Sequence, residues 1–145
     1  MNQPERTKTD QIEKAKLCQY TVLPNGIHEF IFREESKRAI DVWLENAEHI
    51  YQTAPADKRV LFILDGSDVE NLPLAYSYPR IKALNEKYPN KPPSRGVLIY
   101  SSGVMNTIIG AFTKLSSRGA RDESRFYHKS KRDEAIQWLL EAEDK

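Results

Sequence analysis

The chain has 145 residues, the size of one domain, with 30% charged and 39% hydrophobic residues and a net charge of +1. This mix excludes a disordered chain and leaves no room for two substantial cores. Near-neutrality excludes a general pull toward nucleic acid or anionic membrane, so such binding would need a local patch.

The single cysteine, Cys18, cannot form an internal disulfide or a multi-cysteine zinc site. The opening residues Met1 to Arg6 have no apolar stretch behind them, so no secretory signal is expected. No apolar run approaches the ~20 residues that span a bilayer. The expectation is a cytoplasmic chain with no integral membrane segment.

Residues 1–16 are polar and charged, which predicts a flexible N-terminal arm, or a short helix at most, ahead of a domain over 17–145. Leu17 to Leu23 is rich in β-forming residues. Pro24-Asn25-Gly26 is turn chemistry, and Ile27 to Phe32 is a second strand, which together predict an opening hairpin. From Glu34 to Tyr51, Ala39, Ile40, Trp43, Leu44, Ala47, Ile50 and Tyr51 recur on one helix face. Arg59 to Asp65 is a continuous apolar run ending in an acid, the pattern of a strand buried on both faces.

Residues 66–78 read as a mixed loop, and Pro79 as the first residue of a helix carrying Ile81, Leu84 and Tyr88. Arg95 to Tyr100 is another short buried strand, and Ser101-Ser102-Gly103 the turn after it. Met105, Ile108, Ile109 and Phe112 make a helical stripe, followed by a polar, basic loop from Ser116 to Glu123. Arg125 to His128 is a short edge strand. Ser130 with Asp133 resembles a capping box for a last helix carrying Ala135, Ile136, Leu139 and Leu140. The order β-β-α-β-α-β-α-β-α predicts an α/β fold. Its mostly parallel mixed sheet has about five strands, opened by one antiparallel strand, with about four helices.

This order resembles the STAS (anti-anti-sigma factor-like) domain, and especially its SpoIIAA-like branch. Leu23-Pro24-Asn25-Gly26-Ile27-His28 is similar to that branch's opening hairpin, and Phe62-Ile63-Leu64-Asp65 to its third strand. Arg125-Phe126-Tyr127 and Asp133 to Leu139 are similar to its closing strand and helix. The resemblance covers roughly residues 17–141 and implies a scaffold, not a catalytic set. Anti-anti-sigma factors follow the third strand with an Asp-Ser-x-Gly segment whose serine is phosphorylated. Here Leu72-Pro73-Leu74-Ala75 stands in its place, with no hydroxyl at the phosphoacceptor position, and Ser67 and Ser77 lie off it.

In open α/β sheets, ligands lie beyond the carboxyl ends of the strands. Asp65, Ser67 and Asp68 follow the third strand, and Ser101 and Ser102 the fourth. If these strands are neighbours, two carboxylates and three hydroxyls could hold a divalent cation, or the serines an anion at a helix start. The plainer reading is turn and cap chemistry, for which Asp, Ser and Gly are the usual residues. Receiver-type phosphoacceptor chemistry lacks its further acids, since the first strand ends Thr21-Val22-Leu23-Pro24.

No Gly-x-Ser-x-Gly elbow or phosphate-binding glycine loop is present, and nothing in the spacing of His28, His49 and His128 ties them to a serine or a metal. The basic stretch Arg118 to Arg132, diluted by Asp122 and Glu123, could meet an anionic partner, a phosphate or a lipid head group, and reads first as a solvated loop and strand edge. Its aromatics do not interleave regularly, which argues against nucleic acid. Leu72, Leu74, Tyr76 and Tyr78 put apolar bulk in the loop after the third strand, where it meets a partner, covers a small pocket or folds onto the core.

The sequence therefore points to a non-catalytic interaction or regulatory module of STAS-like type, with Asp65, Ser67, Asp68, Leu74, Tyr76, Ser101 and Ser102 as candidate binding residues. The alternative is a small-ligand or lipid-binding domain with a cleft at the carboxyl ends of the strands. Neither a cofactor nor a metal is expected. The partner is a protein or a small ligand, and apolar edge strands leave a homodimer open.

Overall fold

The structure is a computed structural model that describes residues 4–55, 57–70, 73–101 and 122–141. Strand β1 (Cys18–Val22) turns back on β2 (His28–Phe32) through Pro24-Asn25-Gly26. Gly26 sits at φ +87°, where a Cβ would be strained. Asn25 Oδ1 accepts the Ile27 N–H at 3.3 Å and closes the turn.

Helix α2 (Lys37–Thr53) starts where Ser36 Oγ accepts the Ala39 N–H at 3.2 Å. Its inward face buries Ala39, Ile40, Val42, Trp43, Ala47 and Ile50. The remaining elements are β3 (Val60–Asp65), α3 (Leu74–Lys87), β4 (Ser94–Tyr100) and β5 (Asp122–His128). A 3-10 turn (Lys129–Lys131) then leads into α4 (Arg132–Glu141).

The fold is α/β, with one five-stranded sheet in the order β1-β2-β3-β4-β5. β1 is antiparallel to β2, and the other three pairings are parallel. Strand alternation splits the core in two. Phe30, Phe32, Val60 and Leu98 face α2 and α3, with Tyr76 and Ile81 against them. Leu61, Ile63, Val97 and Ile99 face the opposite way, onto Ala135, Trp138 and Leu139 of α4. The sheet thus lies between α2 and α3 on one side and α4 on the other.

Residues Pro4–Ala15 form a helix, α1, in which Thr9 to Ala15 are exposed apart from the half-buried Lys14. Three expectations change. Helix α3 starts at Leu74, not Pro79, so Leu74 to Tyr78 are helix rather than loop. Pro79 stands inside it; nearby, Ser77 donates to the Pro73 carbonyl through both its N–H (2.9 Å) and Oγ (2.7 Å), and an Arg80 guanidinium donates to the Tyr76 carbonyl at 3.0 Å. β5 starts at Asp122, because pairing with Ser94, Arg95 and Gly96 extends a charged segment that reads locally as loop. Ser130 is not the cap of the last helix. Its N–H bonds to His128 Nδ1 at 3.2 Å inside the 3-10 turn. The helical stripe from Met105 to Phe112 lies outside the described residues, as do Leu72 and Ser102.

Candidate functional site

The parallel pairing of β3 with β4 brings the turns after both strands together, as their adjacency requires. The Gly66 N–H donates to the Ile99 carbonyl at 2.9 Å, which carries the ladder past Asp65. Ser101 Oγ then donates to the Ser67 carbonyl at 2.9 Å and clips one turn to the other.

Asp65 is the centre of this corner. Its Oδ1 accepts the Ser67 N–H at 2.9 Å and the Ser67 hydroxyl at 2.6 Å, an Asx turn closed twice. Its Oδ2 lies 3.7 Å from an Arg132 guanidinium nitrogen at the start of α4. The same arginine donates to Glu29 of β2, a carboxylate only 9% exposed. Asp68 turns to a different arginine, Arg33, at 2.6 Å, and Arg33 also donates to Gln19 at 2.8 Å.

Asp65, Ser67 and Ser101 thus meet, while Asp68 is drawn to another partner. Among the described residues no three His, Cys, Asp or Glu side chains are grouped to hold a metal ion. The two acids instead face separate arginines, Asp65 sharing Arg132 with Glu29 and Asp68 pairing with Arg33.

Tyr76 does not project from a loop. Its hydroxyl donates to Asp41 of α2 at 2.5 Å, and the Arg80 guanidinium stacks on its ring at 3.5 Å. The bond to Asp41 raises the Tyr76 phenol above its ordinary value. Tyr76 thus packs onto α2 and the core beside it. Leu74 opens α3, next to the exposed Ala75.

A cavity of about 140 Å³ lies between the sheet and α2 and α3. Among the described residues Trp43, Tyr51, Phe62, Leu98 and Phe126 supply apolar wall, and Lys91 and Asp122 the polar end. Lys91 pairs with Asp122 at 2.7 Å, and Ser94 Oγ donates to the same carboxylate at 3.0 Å. Burial, and then the Asp122 charge, push the Tyr51 phenol up to about 12. Ser94 and Asp122 open their strands, so this cavity lies toward the amino ends of β4 and β5, not the carboxyl ends where a cleft was expected.

On the other face Arg95, 8% exposed, pairs with Glu123 at 3.1 Å and donates to the Trp138 carbonyl at 2.8 Å. The Arg95 and Arg125 guanidinium carbons lie 4.2 and 4.6 Å from the Trp138 ring centre. Arg95 holds the Glu123 carboxyl below its usual range. Cys18 is buried in the core, and that burial pushes its thiol up to about 12.

Sequence reasoning missed Glu29, Arg33 and Arg95, and read Arg132 only as part of the basic stretch. Glu29 carried a signal, an acid ahead of the apolar run Phe30 to Phe32 within a predicted strand. Its partner lies 103 positions away and carried none. No helix among the described residues is long and apolar enough to cross a membrane. Comparison of the chain with protein-family models, curated proteins and solved structures returns no match.

Proposed function

We propose that the chain is a non-catalytic interaction or regulatory module of STAS-like type, which presents the β3–α3 turn and the first turns of α3 to a protein partner. One observation carries this reading. The polar groups at the carboxyl ends of β3 and β4 are bonded to one another and to arginines, through Asp65, Ser67, Ser101 and Arg132. Groups bonded to one another in this way hold the surface in one shape. The sheet order with its antiparallel opening strand also fits the scaffold that the resemblance implies.

A second reading, a small-ligand domain, is favoured by the cavity beneath α2 and α3. Its apolar wall with one polar end suits a small, mainly apolar molecule.

The test is affinity capture from the native host, run beside native mass spectrometry. Exposed Asp68 and exposed Ala75 flank the proposed surface, so Asp68→Arg and Ala75→Arg alter it without touching the core. A protein retained by the wild type and lost from both variants, at unchanged thermal stability, supports the interaction module. Retention by both variants sinks that surface. A small bound mass in the wild type shifts the assignment to the ligand reading.

A further inference from the structure

The two edges of the sheet differ. β5, at one edge, carries Asp122, Glu123, Arg125 and His128. Charges of this kind discourage a second chain from adding to a sheet edge. β1, at the other edge, reads Cys-Gln-Tyr-Thr-Val, with no charge, proline or glycine. Nothing in its sequence guards it.

The hydrogen-bond pattern shows which of its groups face outward. The Leu23 N–H donates to the Ile27 carbonyl, and the Arg33 N–H to the Leu17 carbonyl, both at 2.9 Å. Antiparallel ladders alternate bonded and non-bonded pairs. With the observed register, Leu17, Gln19, Thr21 and Leu23 turn their backbone groups toward β2. Cys18, Tyr20 and Val22 turn theirs away, where the sheet has no further strand among the described residues.

Among the described residues, apolar side chains near this edge are exposed too. Val22 and Ile12 are the exposed large hydrophobics among the described residues, at 53% and 58%, and they lie on β1 and on the helix leading into it. Helix α1 is tied to α2 by the ion pair of Lys14 with Glu45 at 2.5 Å, and its residues from Thr9 to Ala15 are exposed apart from the half-buried Lys14. A helix of 12 residues is marginal without a covering surface.

We infer that β1 is a self-association edge and that its partner is β1 of a second copy of this chain. The strand is self-complementary under a two-fold axis, which an isologous dimer requires. Centred on Tyr20, an antiparallel pairing sets Tyr20 against its own counterpart and Cys18 against Val22 of the second copy. The outward groups then form two bonds at each of three residue pairs, roughly six in all. A neutral strand meets a neutral strand, so no like charges oppose each other. The two sheets continue as one, and α1 of each copy borders the new junction. Such an edge is smaller than a standard interface of about 1,600 Å², so the dimer is expected to be weak, on the order of micromolar.

The test combines sedimentation over a concentration series with residue-resolved amide exchange on the full chain. The wild type is expected to pass from 16.8 kDa to twice that mass as concentration rises. The Tyr20 and Val22 amides should slow by roughly tenfold or more across that range, while the Gln19 and Thr21 amides stay slow throughout. Val22→Pro removes an outward N–H but none of the bonds to β2, and should stay monomeric at concentrations where the wild type pairs. Val22→Lys, which adds an edge charge, should behave the same way and covers the case in which the proline variant folds poorly. A wild type monomeric at every concentration overturns the inference. So does a dimer whose Tyr20 and Val22 amides exchange as fast as in the monomer, or one that survives Val22→Lys.

Discussion

Arg132, the first residue of α4, donates to Glu29 of β2 across a separation of 103 positions. This pair joins the start of the last helix to the sheet. Glu29 is buried on the α4 side of β2, and the same guanidinium reaches Asp65 at the end of β3. One side chain therefore links the helix start to two strands and, through Ser67, to the turn proposed to meet a partner.

Removing that arginine strands a buried carboxylate. Arg132→Ala should lower stability by about 1–3 kcal/mol, below the full cost of breaking a buried pair because Arg132 is 35% exposed. Glu29→Gln in the same background should recover part of the loss, because a neutral amide costs less to leave without its arginine. Urea unfolding of the wild type, both single variants and the double variant measures the coupling. An Arg132→Ala variant within about 0.5 kcal/mol of wild type would show that the pair does not hold the helix.

His28 should make stability pH-dependent. It stacks on Tyr20, with its Nδ1 2.7 Å from the Tyr20 hydroxyl, and burial lowers its pKa below the ordinary 6.5. The fold therefore favours the neutral ring. Between the lowered value and 6.5 the unfolded chain binds more protons, so stability rises with pH. The contribution is complete above 6.5 and is lost as pH falls toward the folded value. Denaturant midpoints measured from about pH 5 to 8 should show this slope in the wild type and a flatter one in His28→Gln. Equal slopes would exclude His28 as the source.

Two glycines should respond differently to the same substitution. Gly26→Ala places a Cβ at φ +87° and should cost about 1–2 kcal/mol. Gly96→Ala should change stability by less than about 1 kcal/mol, since its Cβ would meet Phe62 Cβ at 3.7 Å, an ordinary contact. Thermal unfolding of both variants checks the contrast, and comparable losses would mean that Gly96 is held tighter than its surroundings imply.

Much of the fold was legible because its signals are local. The 3.6-residue recurrence of Ala39, Ile40, Trp43, Ala47 and Ile50 marks α2, and the same five residues are buried. The apolar run into Asp65 marks β3, which pairs on both edges. Pro24-Asn25-Gly26 marks the hairpin, and Gly26 takes the positive φ that such a turn needs. Where local rules misled, tertiary contacts had the larger effect. Pro79 is a permissible helix start by itself, yet α3 begins earlier, at Leu74, with Tyr76 set against Asp41 on α2. Asp122 and Glu123 have loop chemistry, yet bonds to Lys91, Ser94, Arg59 and Arg95 hold them in the edge strand.

By itself the sequence determined the alternation of strands and helices among the described residues and the buried faces of α2 and β3, while the meeting of the turns after β3 and β4 rested on those strands being neighbours. Each follows from periodicity or from the adjacency of consecutive parallel strands. Only the tertiary structure decided which charges face each other. Asp65 and Asp68 read as a pair in sequence, but folding assigns one to Arg132 and the other to Arg33. Glu29 and Arg132 show no relation until the last helix crosses the sheet. Charge pairing is set by distance in space, and no local pattern encodes a separation of 103 residues.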